Sequence, residues 1–383
     1  MQELSDLLDS KAGLDYLKSE GVFVSQQHFK DQLQAPAKND LTEDLGGEDA
    51  KLVCSGQQVY IDYRQSVLSK FEALRDIAQV DDLLSLFLWV DTDRSGADSL
   101  TTKFAWPNGR KKGPITILPP GTREVETRFS AIDSSVLVGA ADQLWTSLRQ
   151  SDERVDGAKE RYKNFRSIFV DSEHTSLSAF NLQVSEFLLS NVYDYVPRSV
   201  SLSALLGRTT ILQDVDIFVN CIVDVIKVFN EAVGSLIGNN INPQVKPLLQ
   251  AYLPLFYSCD DDGRRLRLFR QIEGSDHFAL GRCKCGRQFK FHLGQGQLSI
   301  AELALTNRWS PDVCFPVFIN DLVSGFVAGK SSTLYLIVMN AVLRKVLGKT
   351  PVPILIPQYL EYQNTNNGQF DSLLYRYLAG IDR

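Results

Sequence analysis

The chain has 383 residues, of which 44% are hydrophobic, enough to bury a large core and to form one large or two ordinary domains. Forty basic residues against 46 acidic ones give a formal net charge of −6, and no stripe of lysine and arginine dominates, so nothing supports a nucleic-acid or anionic-membrane surface. Six cysteines, at 54, 221, 259, 283, 285 and 314, are too scattered for a disulfide framework and point to reduced thiols or a local metal site.

Met1 to Leu17 mixes acids with leucines and lacks the basic-then-apolar pattern of a signal peptide, while the uncharged run Ser331–Leu343 is too short to cross a bilayer. A cytoplasmic location is the expectation. Residues 1–50 read as a helical lead, closing on Pro36, Ala37, Lys38, Asn39 and the Gly46-Gly47 pair. Residues 51–250 then read as an α/β core with a helical segment. In Leu52-Val53-Cys54-Ser55-Gly56-Gln57-Gln58 an apolar run breaks into Ser-Gly-Gln-Gln ahead of a helical segment, the form of a strand-to-helix ligand loop or of an ordinary turn. Gly56 permits close backbone approach, and the amides of Gln57 and Gln58 bring donors and acceptors. Val67, Leu68, Phe71, Leu74, Ile77 and Ala78 recur at helical spacing, which would bring the loop to a helix N-terminus, where anions are favoured. Cys54, beside the loop, is either a small buried hydrophobe or a thiol at a site mouth.

Leu83–Val90 has the composition of a buried strand and ends in Asp91-Thr92-Asp93-Arg94. Ligands bind at the carboxyl ends of strands in open α/β sheets, so Asp91 and Asp93 are candidate catalytic groups, although turn-forming aspartates are at least as common there. Residues 106–128 read as an exposed connection holding a short strand at Ile115–Leu118, with Lys111 and Lys112 solvated. From 136 to 240 the pattern is helical. Ile217, Phe218, Cys221, Ile222, Val225, Ile226 and Phe229 mark one buried face, ended by Gly238-Asn239-Asn240.

Residues 251–300 read as a small β-hairpin element. His277, Cys283, Cys285 and His292 fall within sixteen residues around a Gly286-Arg287 turn. Residues two apart in a strand share a face, so Cys283 and Cys285 with a flanking histidine could hold a structural zinc; the alternative is a hairpin with free thiols. In 301–383, Val313–Ile319, Thr333–Val346 and Val352–Ile356 read as strand, helix and strand, a βαβ unit with parallel pairing and a right-handed crossover. Gly329-Lys330-Ser331-Ser332 precedes the helix as the end of a phosphate-binding loop would, but the required first glycine falls on Ser324. What is left is a glycine turn that lets a helix N-terminus approach an anion. Neither a Ser-His-Asp triad nor a Gly-x-Ser-x-Gly elbow is evident, and four histidines leave little scope for histidine chemistry. The fold class is α/β, a parallel-sheet core with helical insertions.

Several segments, in order, resemble the bacillithiol-biosynthesis cysteine-adding enzymes: Ser55-Gly56-Gln57-Gln58, Asn242-Pro243-Gln244-Val245, Leu255-Phe256-Tyr257 with Asp262-Gly263-Arg264-Arg265, Ser310-Pro311-Asp312-Val313, Val327-Ala328-Gly329 through Tyr335, and Pro351-Val352-Pro353 to Pro357. The resemblance implies a Rossmann-like core and a ligase that joins cysteine to the free amine of a glucosamine-malate conjugate. It would make Ser55 to Gln58 and Gly329, Lys330, Ser331 and Ser332 substrate-binding residues, with Asp91 and Asp93 orienting an ammonium or accepting a proton. ATP or ADP is the implied cofactor class, an amino acid and a small-molecule amine the implied partners. Three departures stand out. Val59-Tyr60-Ile61-Asp62 replaces the family's Pro-Gly continuation, Trp89-Val90-Asp91-Thr92-Asp93-Arg94 lacks its central histidine, and Ser332 stands where the family has a glutamate. The chain also stops at Arg383, without the family's long coiled coil, so neither a coiled-coil dimer nor the family's C-terminal nucleotide contact is expected. A catalytically degenerate relative that binds a metabolite or partner protein is the alternative, and a metal-dependent hydrolase built on residues 277–292 is a third reading.

Overall fold

The computed structural model describes residues 1–34, 41, 44–45, 50–96, 102–104, 115–117, 124–150, 157–170, 176–312, 314–357 and 372–380. Pro36 to Asn39, Gly46-Gly47, Lys111 and Lys112 lie outside the described residues. The strands are β1 (Val22–Phe23), β2 (Lys51–Gln58), β3 (Leu83–Val90), β4 (Ser199–Ser201), β5 (Tyr252–Ser258), β6 (Arg265–Glu273), β7 (Asp276–Arg282), β8 (Gln288–Gln295), β9 (Trp309–Pro311), β10 (Gly325–Val327) and β11 (Ile354–Leu355).

β3 is apolar except for Ser85, and β2 is apolar through Leu52, Val53 and Cys54 before it turns polar toward its carboxyl end, the composition of strands whose inner parts are covered on both faces. They pair in parallel over their whole length, Lys51 opposite Leu83 through Gln58 opposite Val90. Alternate side chains enter two separate cores. Leu52, Cys54, Leu86 and Leu88 join the helices Thr209–Asn220, Ile222–Gly238 and Lys330–Lys345 on one face. Val53, Phe87 and Trp89 join Gln65–Ala78 and Leu177–Tyr193 on the other. Phe87 stacks on Phe71, with ring centroids 4.4 Å apart, fixing that helix to the sheet.

The sheet is all parallel, in the order β1-β11-β10-β2-β3-β4. This is a Rossmann-like α/β core, as expected. Chain progress runs outward to one side from β2 through β3 to β4, and to the other from β10 to β11. The order therefore reverses between β2 and β10, and the crossover helices Gln65–Ala78 and Lys330–Lys345 cover opposite faces. Such a reversal opens a crevice at the carboxyl ends of the strands.

The C-terminal βαβ unit is present with a different first strand. Phe315–Phe318 is a short helix, where strand Val313–Ile319 was expected, and the strand before the crossover helix is β10. Pro316 within that helical turn supplies no amide hydrogen for a central strand ladder. The expected stripe from Ile217 to Phe229 is also broken: Cys221 leaves helical backbone geometry between two helices, and Ile217 is 48% exposed.

The expected hairpin is part of a five-stranded antiparallel sheet, in the order β8-β7-β6-β5-β9. In β8, Phe289, Phe291 and Leu293 are buried while Gln288, Lys290 and His292 are exposed, the alternation of a sheet with one covered face. Its inner face shares the core of the Ile222–Gly238 helix. Among the described residues, no helix is long and apolar enough to cross a membrane.

Candidate functional site

A cleft of about 400 Å³ lies over the carboxyl ends of β2, β3 and β10, at the reversal of strand order. Its polar lining includes Gln57, Gln58, Lys70, Asp93, Arg265 and Asp312; Leu88, Leu202 and Phe315 contribute apolar wall.

The Ser-Gly-Gln-Gln segment is the last half of β2, with the turn beginning at Val59. Position along the strand divides its side chains. Ser55 is fully buried, and its hydroxyl donates to the Val327 carbonyl at 2.8 Å, tying β2 to β10 beneath the cleft. Gly56, Gln57 and Gln58 line the cleft itself. Cys54 faces the core, where burial pushes its thiol up to about 12, so it is the small hydrophobe of the two alternatives.

The helix N-terminus at the cleft belongs to Lys330–Lys345; that of Gln65–Ala78 is covered instead by the Ser372–Leu374 segment, whose Leu373 amide donates to the Tyr63 carbonyl at 2.9 Å. Gly329 is the N-cap, and a single residue, Ala328, separates it from β10. No loop is left to wrap a phosphate chain, and Ser324, in the place of the first glycine, is buried with its hydroxyl accepting from the Leu52 amide. Ser332 lines the cleft, its hydroxyl donating back to the Gly329 carbonyl at 3.0 Å; Lys330 is exposed in the same first turn, which also holds Ser331.

Lys70 is the buried cation of the site. It is 6% exposed, and its ammonium donates to the Gly56 carbonyl at 2.9 Å and to Gln57 Oε1 at 3.0 Å. Both acceptors are uncharged, and burial lowers the lysine from 10.5 to about 8. A Cβ built on Gly329 would come within 3.0 Å of Lys70 Cε and 3.5 Å of Nζ, so glycine there lets the ammonium sit against the helix N-terminus. Two positive features thus meet at one wall.

Facing them is a charged network. Arg265 donates to Asp93 at 2.9 Å, to the Ser310 hydroxyl and to the Pro311 carbonyl, and stacks over the Phe256 ring at 3.8 Å. Burial pulls its guanidinium down, opposed by Asp93 and Glu126. Asp93 also accepts from Gln58 Nε2, and Gln58 Oε1 accepts from Tyr60 at 2.7 Å. Asp312 is paired with Arg267. Asp91 has a different task. Its buried carboxylate accepts from the amide of Ser203 at 2.9 Å and from the same residue's hydroxyl, holding the start of the Leu202–Leu205 helix. Burial raises its pKa, and the Ser203 hydrogen bonds oppose that rise.

The expected Cys/His set is rearranged. Cys283 and Cys285 come together with Cys259 and Asp262, one sulfur or oxygen from each lying within 4.8 Å of the others. His277 and His292 are excluded by the hairpin: 277 pairs with 294, and 292 with 278, at the opposite end of β7 from Cys283. Six residues of strand are about 20 Å. His292 Nε2 meets Asp276 at 2.8 Å.

Sequence reasoning missed Lys70, Arg265 and Asp312. For Lys70 the signal was a lysine inside the apolar stripe of Val67, Leu68, Phe71 and Leu74; Arg265 and Asp312 sat within segments noted for other reasons. No protein-family model matches the chain, and no curated protein does.

Proposed function

We propose that this chain is a ligase that forms an amide between an amino acid, cysteine first among them, and the amine of a small-molecule acceptor. Lys70 carries the reading: a buried ammonium without an anionic partner in its own hydrogen bonds, set against a helix N-terminus at the strand-order reversal, is suited to hold a carboxylate. The same group would stabilise the oxyanion that forms as an amine adds to the acyl carbon. Gln57 and Gln58 are placed to orient polar substrate groups, and Asp93 to receive an ammonium. The resemblance lends support through position, because Arg265, Asp312 and Gly329, one from each of three matching segments, come to one cleft from separate parts of the chain.

Amide formation from a free carboxylate and an amine is uphill in water, so the acyl group has to be activated, with ATP as the expected reagent. The residues at the cleft fit an anion at one helix N-terminus rather than a wrapped triphosphate, and no step is assigned to the nucleotide.

One observation favours a second reading, a chain that binds a metabolite or partner protein without turnover. Asp93 and Asp312 are each held by an arginine, and no histidine is among the cleft residues named above, so a free proton acceptor among them is limited to neutral Lys70. Incubating the purified chain with labelled cysteine and a small-molecule extract, with and without ATP, separates the two by mass spectrometry. A product one cysteinyl unit heavier than an extract amine supports the ligase. Retained label without product, for cysteine and for the other amino acids in turn, supports the binder.

A further inference from the structure

We propose that Cys259, Asp262, Cys283 and Cys285 form a structural zinc site that ties the β5–β6 turn to the β7–β8 turn. This inference stands independently of the ligase reading. A tetrahedron with Zn–S bonds of about 2.3 Å and a Zn–O bond of about 2.0 Å has S···S edges of about 3.8 Å and S···O edges of about 3.5 Å. The Cys259 and Cys285 sulfurs are 3.8 Å apart, and Cys283 Sγ lies 3.4 Å from each oxygen of Asp262. One sulfur–sulfur and one sulfur–oxygen edge thus match a tetrahedral ion, and all four donors lie within 4.8 Å of one another.

Both turns are built as ligand-bearing knuckles. In Cys259-Asp260-Asp261-Asp262-Gly263 two residues separate the ligands, and the Gly263 amide donates to the Cys259 carbonyl at 2.9 Å. The Asp261 and Asp262 amides point at the Cys259 sulfur. In the second turn the Gly286 amide closes on the Cys283 carbonyl at 3.0 Å, while the amides of Cys285 and Arg287 serve the Cys283 and Cys285 sulfurs. Gly263 and Gly286 both have positive φ, at 69° and 94°, which lets each chain fold back and present its amides. Amide donors to thiolate sulfur are the second shell that orients and stabilises a metal-bound cysteine. Arg264 Nε, 3.4 Å from Asp262, offsets part of the negative charge of three thiolates and one carboxylate.

Zinc binding here is an acid–base step without electron transfer: three thiols release their protons to solvent and three Zn–S bonds form beside one Zn–O bond. Cys259 and Cys283 are buried and Cys285 is exposed, which gives the ion a side of entry. The site is closed to chemistry by its four protein ligands, so its task is structural. It holds the turn from which β6 begins at Arg265, the cleft's guanidinium.

The full chain, purified under a phosphine reductant from zinc-supplemented medium, is expected to carry one zinc per chain by elemental analysis. Exchange with cobalt(II) is expected to give the intense visible bands of a tetrahedral ion and a thiolate-to-metal charge-transfer band. Asp262→Cys, which adds a fourth thiolate without emptying the site, should strengthen that band; Cys285→Ser should release zinc to a chelator sooner than wild type; His292→Ala should retain it. A reduced, folded chain that takes up neither metal overturns the proposal. So does full zinc in a Cys283→Ser/Cys285→Ser chain, or an unchanged charge-transfer band in Asp262→Cys.

Discussion

Lys70→Met removes an ammonium that the fold keeps at 6% exposure beside two uncharged acceptors. Burial lowers this lysine from 10.5 to about 8, so between those values the unfolded chain holds a proton that the folded protein has released. Because the unfolded state then binds more protons, stability rises with pH across this window. Below pH 8 both states are protonated, and the native state bears the full cost of burying the charge. Integrated from pH 7 to pH 10, this one group adds about 2.5 kcal/mol to the stability of the wild-type chain. Methionine fills a similar volume and does not titrate. Losing the hydrogen bonds to Gly56 and Gln57 subtracts about 1 kcal/mol at every pH, so the slope carries the test and the intercept does not. Urea unfolding of both chains at intervals from pH 7 to 10 cancels the titrations they share. The difference between them should move by about 2.5 kcal/mol in favour of wild type as pH rises. Two parallel curves would refute the depressed lysine and, with it, the view that the cleft carries a cation against the interests of stability.

Arg265→Ala leaves the fully buried Glu126 with less cationic cover and Asp93 without its guanidinium, and should cost about 3 kcal/mol or more by urea denaturation; a loss below about 1 kcal/mol would deny the network its structural weight. Asp91→Ala removes the acceptor for two Ser203 donors and should cost about 1–2 kcal/mol while cysteine addition persists. Gln58→Ala should behave in the opposite way, with turnover lost and the melting temperature nearly unchanged. Gly329 has φ −78°, which any residue adopts, so Gly329→Ala tests space alone. Its methyl would stand 3.0 Å from Lys70 Cε, displacing the ammonium and reducing product formation in the labelled-cysteine assay without unfolding the chain.

Elements whose signal is local were legible in the chain. β3 is an apolar run broken only by Ser85, and the helix Gln65–Ala78 was visible in its spacing of large apolar side chains. Asp93, Gln57, Gln58 and Ser332 do line one cleft, because all lie at or just beyond the carboxyl ends of parallel strands. Depth along β2 was underestimated, since reading Ser55 to Gln58 as a loop gave all four residues the same surroundings. Ser55 and Gln57 share a face of the strand, but Ser55 lies within the sheet, bonded to Val327, while Gln57 stands at the carboxyl end and lines the cleft. Asp91 and Asp93 looked equivalent two residues apart, and only the partner at Ser203, 112 residues on, separates a helix cap from a cleft carboxylate.

What no local pattern could supply is the order of strands. The Ser55 hydroxyl reaches Val327 across 272 residues of sequence, and this contact belongs to the pairing of β2 with β10 that makes the reversal, and hence the crevice. The same applies to the sulfur cluster. Cys283 and Cys285 advertise themselves by proximity, but their partners come from a turn more than twenty residues earlier, brought alongside because β6 and β7 pair antiparallel between the two turns. In such a meander the connection before β6 and the connection after β7 emerge at the same edge of the sheet, whereas residues at the far ends of β7 and β8 cannot reach it. The antiparallel register therefore selects Cys259 and Asp262 as companions of the cysteine pair and removes both histidines, a choice that spacing along the chain leaves open.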